Sequence, residues 1–320
     1  MAAVRGGFQR YLLSLQYHGS SFLGFSYQGE QHRTVEGCVR QALQSLAGTT
    51  WENLQVSSRT DRGVHALKNT FHVDLRHQKW TCEQIHRGLN FYLQRLHERE
   101  EGKRRLLRER IDRDVRILRV MEAPQQMPNP WAQQDPTQPL LVDWNARFSA
   151  TQRTYVYRII HSHDGDLDWM VPFEWDRAWR IHSQNPLNIE AMQQAADMLV
   201  GEHDFSSFRG KGCQRISPIV NLSAVRVNAR DLNDFEPLLW GTTIDKSSRC
   251  QLITIQFEGN SFVYRQVRNL TGCLVQVGKG RLRPHDIPSL MAARNRALAP
   301  GMAPPHGLFL VDVQHQGIRI

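Results

Sequence analysis

The stretch SSRTDRGVHAL at positions 57–67 sets one carboxylate, Asp61, between two guanidiniums, Arg59 and Arg62, two residues before Gly63. Aspartate and glycine together are ordinary turn chemistry, so a corner between strands would account for the pair. The other reading is that Asp61 stays ionised because cations flank it and is aimed into a cleft, where a carboxylate can act as nucleophile, base or electrostatic partner. A second concentration of chemistry lies at 261–296, where seven Lys and Arg stand against the single acid Asp286. Part of that excess follows a helix C-terminus, where cations favour the dipole, but its density also fits the wall of a basic cleft. In HDFSSFRGKGC (203–213) Arg209 and Lys211 accompany two phenylalanines. Rings and cations together suit unpaired bases and their phosphates, whereas Phe205 and Phe208 could equally be core residues.

The elements that must position these groups follow from periodicity and capping. YLLSLQY (11–17) reads as a strand, and Thr34 caps a helix in which Val35, Cys38, Ala42 and Leu46 share one face, with Gly48 as the stop. A short strand through Leu54 and Val56 enters the Asp61 turn, and a strand with Phe71, Val73 and Leu75 alternating against polar neighbours leaves it. Thr81 and Gln84 form a capping box ahead of a helix with Ile85 and Leu89. VRILRV (115–120) is a strand, and the mixed-charge run at 97–114 fits a solvated helix with i,i+4 pairs. Further along, strands are predicted at 154–160, 222–227, 251–257 and 308–313. Helices are predicted at 188–199 and, with Arg265 and Arg268 projecting from it, at 263–277. The mixture lacks the alternation of a doubly wound sheet and implies an α+β fold, mostly antiparallel. The Pro- and Gln-rich stretch 123–139 reads as a linker between an N-terminal half (1–122) and a C-terminal half (140–320).

Bulk properties narrow the function classes. The 320 residues carry 40 Lys and Arg against 31 Asp and Glu, a net charge of +9, which favours a polyanionic partner, nucleic acid first. No apolar run approaches the roughly 20 residues of a membrane span. The five cysteines are scattered, without a CxxC pair or zinc spacing, as in a reducing compartment. The first 29 residues hold Arg5 and Arg10 but no acid, the composition of a short organelle leader, so a mitochondrial location is the expectation, with cytoplasm or nucleus as alternatives.

Five ordered blocks, SSRTDRGVHA, NARFSATQRTYVYRI, GEHDFSSFR, YRQVRNLTG and PPHGLFLVDV, resemble the TruA-type family of RNA pseudouridine synthases. The resemblance implies a pseudouridine synthase fold: two ferredoxin-like halves sharing a mostly antiparallel sheet with flanking helices and a central RNA cleft. It maps the essential carboxylate to Asp61, substrate-binding roles to Arg59 and His65 of the same loop, an active-site tyrosine to Tyr155, and the arginine that pairs with the carboxylate to Arg268. It implies isomerisation of uridine without cofactor or metal. The partner it implies is RNA, tRNA by default, with no membrane and a homodimer as its assembly. The chain departs from the family pattern at Ser58 and Arg62, where the family has glycine and alanine. It departs again at Gly24-Phe25-Ser26-Tyr27-Gln28, where the family has G-W-Q-x-Q, and in the charged run at 97–114. The rival reading is an idle RNA-binding protein that keeps the fold.

Overall fold

The computed structural model describes residues 7–76, 80–95, 114–132, 135, 137–162, 174–231 and 250–320. The charged run at 97–114, apart from Asp114, lies outside them. The chain forms two compact units, one of residues 1–151 with 310–320 and the other of residues 152–309.

In the first unit, β1 (Phe8–Tyr17) runs antiparallel to both β3 (His65–Arg76) and β4 (Val115–Glu122), and β2 (Trp51–Val56) is antiparallel to β3. The returning C-terminal strand β12 (Leu308–His315) lies beside β3 on its other side. Helix α1 (Val35–Ala47) starts where the Thr34 side chain accepts from Gly37 N–H, and α2 (Cys82–Leu93) starts at the Thr81–Gln84 capping box. Both termini therefore follow from residues legible in the sequence. The two helices pack on each other, and α2 packs on β4.

The Pro- and Gln-rich stretch is not a free linker. It contributes β5 (Gln126–Pro128), which pairs with β6 (Leu141–Asp143) in a small hairpin. Ala123 and Met127 join Leu12, Trp144 and Ala146 in an apolar cluster. Leu12 faces that cluster, and Leu13, on the opposite face by the period of two, is also fully buried. Both faces of β1 are thus covered, and residues 140–151 belong to the first unit rather than to a C-terminal half.

This covering explains an unexpected feature of β3. The polar residues that alternate with Phe71, Val73 and Leu75 do not face water: Thr70, His72 and Asp74 are buried, and so is Asn69 on the Phe71 side. Each has a protein partner, as buried polar groups require. The Asp74 carboxylate takes both oxygens to Arg10, at 2.6 and 2.7 Å, and accepts from Asn53. Burial pushes the Asp74 carboxyl up, but the Arg10 and Asn53 hydrogen bonds and the Arg10 charge outweigh it and hold it below the usual range.

The second unit is built on β7 (Ala150–Ser162), β11 (Cys250–Gly259), β10 (Ile219–Asp231) and β9 (Gly201–Asp204), antiparallel neighbours in that order. Strand β8 (Trp179–His182) pairs parallel to β7. Helix α3 (Ile189–Asp197), capped by Asn188, packs on β10 and on α4 (Gln266–Gly278), and α5 (Asp286–Ala292) follows. The chain passes from the first unit to the second within β7 and returns within β12. Both units mix helices with mostly antiparallel strands, as the sequence pattern implied.

Candidate active site

The Asp61 loop joins β2 to β3 and closes as a β-turn, with Val64 N–H donating to Asp61 O at 3.2 Å. Gly63 has φ +77°, the left-handed value that glycine adopts without strain. Asp61 is partly exposed, Arg59 and Arg62 are exposed, and Thr60 is buried. The carboxylate is therefore carried on a loop whose backbone faces inward and whose cations face water.

Buried polar groups hold that backbone. Tyr17 Oη lies 2.8 Å from Thr60 Oγ1, and Asn69 Nδ2 donates to Ser58 O at 2.8 Å. At the loop's entry, Ser57 Oγ lies 2.6 Å from Thr70 Oγ1 and donates to Ala146 O at 2.8 Å. Thr70 Oγ1 meets His315 Nε2, whose Nδ1 meets Ser149 Oγ. A chain of side chains from three separate stretches thus converges under Ser57, and such fully partnered buried networks fix a local geometry. At the exit, His65 is 1% exposed, and its Nδ1 accepts Gly19 N–H at 3.0 Å. His65 is an internal strut for the loop.

Two glycines of the β1–α1 connection pack directly on the loop. A Cβ on Gly19 would lie 2.1 Å from Val64 O, which no side chain can satisfy. Gly24 has φ +115°, and a Cβ there would lie 3.1 Å from Thr60 O and 3.3 Å from Arg62 N. Phe25 N–H donates to Thr60 O at 3.1 Å. The Gly24–Gln28 block, remote from Asp61 in sequence, is therefore a wall of the Asp61 loop and not only a surface for ligand fit.

Tyr155 and Arg268 belong to the second unit. Tyr155, on β7, is 6% exposed, and its ring stands edge-on to Phe262 with centroids 5.0 Å apart. Arg268 was expected to project from its helix, but it is 7% exposed, and every residue of α4 except Gln276 is buried. Its Nε donates to Ala303 O at 2.9 Å, while its own carbonyl accepts Ala303 N–H. Gly272 belongs to the same seam, since a Cβ on it would meet Gly301 O at 2.0 Å. The guanidinium is thus fixed at Nε by the segment that precedes β12. Arg265, before the helix, is exposed and holds φ +62°, a left-handed value uncommon for a side chain of its size.

Tyr157, two residues from Tyr155 on the same face, is fully buried and donates its hydroxyl to Pro304 O at 2.7 Å. Burial pushes its phenol up, and the Arg268 charge partly offsets this. Gly307 leaves room for that ring, because a Cβ there would lie 2.7 Å from it. The blocks YRQVRNLTG and PPHGLFLVDV are therefore one packed assembly around Arg268 and Tyr157. Phe205 and Phe208 are both fully buried, so neither ring of the 203–213 loop faces a ligand; Lys211 is exposed, whereas the Arg209 guanidinium donates to Cys213 O and Arg215 O.

A family model described as tRNA pseudouridine synthase matches residues 195–316. A tRNA pseudouridine synthase A of Caulobacter sp. (strain K31) is 32% identical over 310 residues, covering 96% of this chain and 98% of that protein. Those of Sinorhizobium fredii (strain NBRC 101917 / NGR234) and Ehrlichia chaffeensis (strain ATCC CRL-10679 / Arkansas) are 31% and 29% identical, covering 96% of this chain and 99% and 100% of theirs. The chain belongs to the TruA-type tRNA pseudouridine synthase family.

For a member of this family, sequence reading named the Asp61 loop and the Arg268 helix but missed what holds them. Gly19, Gly24, Tyr17, Thr60 and the Ser57–Thr70–His315–Ser149 chain carry no motif of their own. The available signal was the run of polar residues in β3, which is inconsistent with a strand facing water on one side only if its second face is known to be covered.

Proposed function

We propose that the chain isomerises uridine to pseudouridine in tRNA, with Asp61 as the essential carboxylate. The observation that carries this is the match along nearly the whole length of proteins named tRNA pseudouridine synthase A, at 32% identity for one of them. The reaction breaks the bond between ribose C1′ and uracil N1, turns the base, and joins C1′ to C5; the C5 hydrogen leaves to water as a proton and the freed N1 takes one up. An ionised carboxylate on a rigid loop can serve as nucleophile or as base to the sugar in such a step. What supports Asp61 in that role is its partial exposure on a backbone pinned by buried partners. Its neighbours divide the work: Arg59, exposed, suits a phosphate, while His65 supports the loop from within. Arg268 is the cation proposed to pair with the carboxylate, and Tyr155 the ring proposed to meet the uracil. Reaching the base in folded RNA requires its extrusion, which phosphate contacts offset in part.

The direct test is to incubate tRNA transcripts with the protein and map pseudouridine at every uridine. Pseudouridine at defined positions is expected; transcripts left unmodified throughout would overturn the proposal in favour of an RNA-binding protein without the chemistry. A homodimer is part of the proposal and would sediment at twice the 37.0 kDa chain mass. A mitochondrial location is proposed from the leader-like composition alone, residues 1–6 of it lying outside the described residues. Localisation of a reporter fused to residues 1–29 tests it.

A further inference from the structure

Four side chains of the first unit form a group that the reaction as described does not use. Trp131 and Phe148 are 45% and 41% exposed, with ring centroids 4.7 Å apart in an edge-to-face arrangement. The Arg147 guanidinium stands 5.4 Å from the centre of the Phe148 ring. Large rings left in water at such a density are uncommon unless something covers them. Both stretches that present them are fixed. The Asn129 side chain, buried, accepts Trp131 N–H and donates to Pro139 O, and Asn145 Oδ1 accepts Arg147 N–H.

The group is tied to the Asp61 loop. Ala146 O, one residue before Arg147, accepts from Ser57 at the loop's entry. Burial first, and the charge of Arg59 second, make the Arg147 guanidinium easier to deprotonate than usual. The Ser57–Ala146 hydrogen bond sets the stretch that carries Arg59 beside the one that carries Arg147, and two cations on adjoining stretches favour an anion. Rings stack on bases of any sequence, and guanidiniums take phosphate oxygens with a planar fork.

We propose that Trp131, Phe148, Arg147 and Arg59 form a stacking subsite for an unpaired base of the RNA strand beside the target uridine, with the two arginines on its phosphate. The proposal rests on the RNA-modifying function above and extends it to a substrate contact outside the reacting nucleotide. It predicts that the enzyme needs a splayed neighbour next to its target, a feature of loops and not of duplex.

The experiment uses the full chain and a tRNA transcript pool, with fluorescence-polarisation binding and pseudouridine formation measured in parallel. Trp131→Ala and Phe148→Ala are each expected to raise Kd and KM about tenfold with a much smaller change in kcat, as loss of one stacked base does. Trp131→Tyr should restore most of the affinity, and Trp131→Leu should not. Arg147→Ala should lower the salt dependence of binding by about one phosphate contact, whereas the aromatic variants should leave that slope unchanged. Circular dichroism establishes that the variants fold. Aromatic variants that bind and turn over transcripts like an active wild type would overturn the proposal. So would variants that leave RNA binding intact but convert a dimer to a monomer, since the exposed Leu140 and Leu141 nearby would then belong with these rings to a contact between copies. If the wild type forms no pseudouridine, the functional reading fails, and the binding data still decide the subsite.

Discussion

Lowering the pH from 7.5 to 5 should cost the first unit about 2 kcal/mol through His72 alone. The ring is 1% exposed, and its Nδ1 accepts Ala146 N–H at 3.0 Å, which only an unprotonated Nδ1 can do. Burial first, and the Arg10 charge second, lower its pKa to about 3, with Asp74 offsetting part of the effect. In the unfolded chain the same group titrates near 6.5. Below that value the unfolded chain takes up a proton that the folded protein refuses, so stability falls as pH falls, by about 1.4 kcal/mol per unit. The loss continues until the folded pKa is reached, and at pH 5 it covers roughly 1.5 units. The comparison that isolates His72 is urea unfolding of the wild type and of His72→Asn, whose Oδ1 can take the Ala146 N–H but does not titrate. The stability difference between the two should shift by about 2 kcal/mol in favour of the variant between pH 7.5 and 5. A difference that stays constant across that range would refute the reasoning. Because Ala146 O also receives the Ser57 hydroxyl, acid should loosen the Asp61 loop before the unit unfolds.

Gly24→Ala places a Cβ 3.1 Å from Thr60 O on a backbone at φ +115°. It should cost about 1–2 kcal/mol in urea unfolding and lower kcat by a larger factor than that loss accounts for. Arg268→Lys removes the planar fork and the Nε donor that Ala303 O receives, so kcat should fall at least about tenfold while the helix remains formed by circular dichroism. Cys213 should alkylate before Cys38, Cys250 and Cys273, which are buried. Burial pushes the Cys213 thiol up, but hydrogen bonds at Tyr264, Arg215 and Arg209 outweigh it, whereas burial raises Cys273 to about 12. Iodoacetamide labelling read by mass spectrometry at short times checks the order.

Where local chemistry decides structure, the sequence was enough. Thr34, Thr81 and Asn188 cap their helices with their own side chains, and β1, β10 and β11 follow their apolar patterns. Asp61 stood out because a carboxylate between two arginines is a local arrangement. What escaped depends on which surfaces meet. Arg268 reads as a surface cation until the 301–304 segment is known to cover α4, and for Phe205 and Phe208 the sequence leaves base contact and core equally open until their burial is seen. The hairpin of β5 and β6 hides in a Pro- and Gln-rich stretch, because two three-residue strands carry too few side chains to set a period. That hairpin and its cluster with Leu12, Trp144 and Ala146 turn β3 from a half-exposed strand into a core strand, so its polar residues became supports for the Asp61 loop.

The central claim is that Asp61 performs the isomerisation, and the most direct measurement uses tRNA transcripts carrying tritium at uracil C5. Rejoining the base through C5 releases that hydrogen to water. Wild type should release tritium with turnover, and Asp61→Asn, which keeps the size of the side chain and removes its charge, should release none above background while binding the RNA as tightly. Release by Asp61→Asn at a rate near that of the wild type would contradict the account.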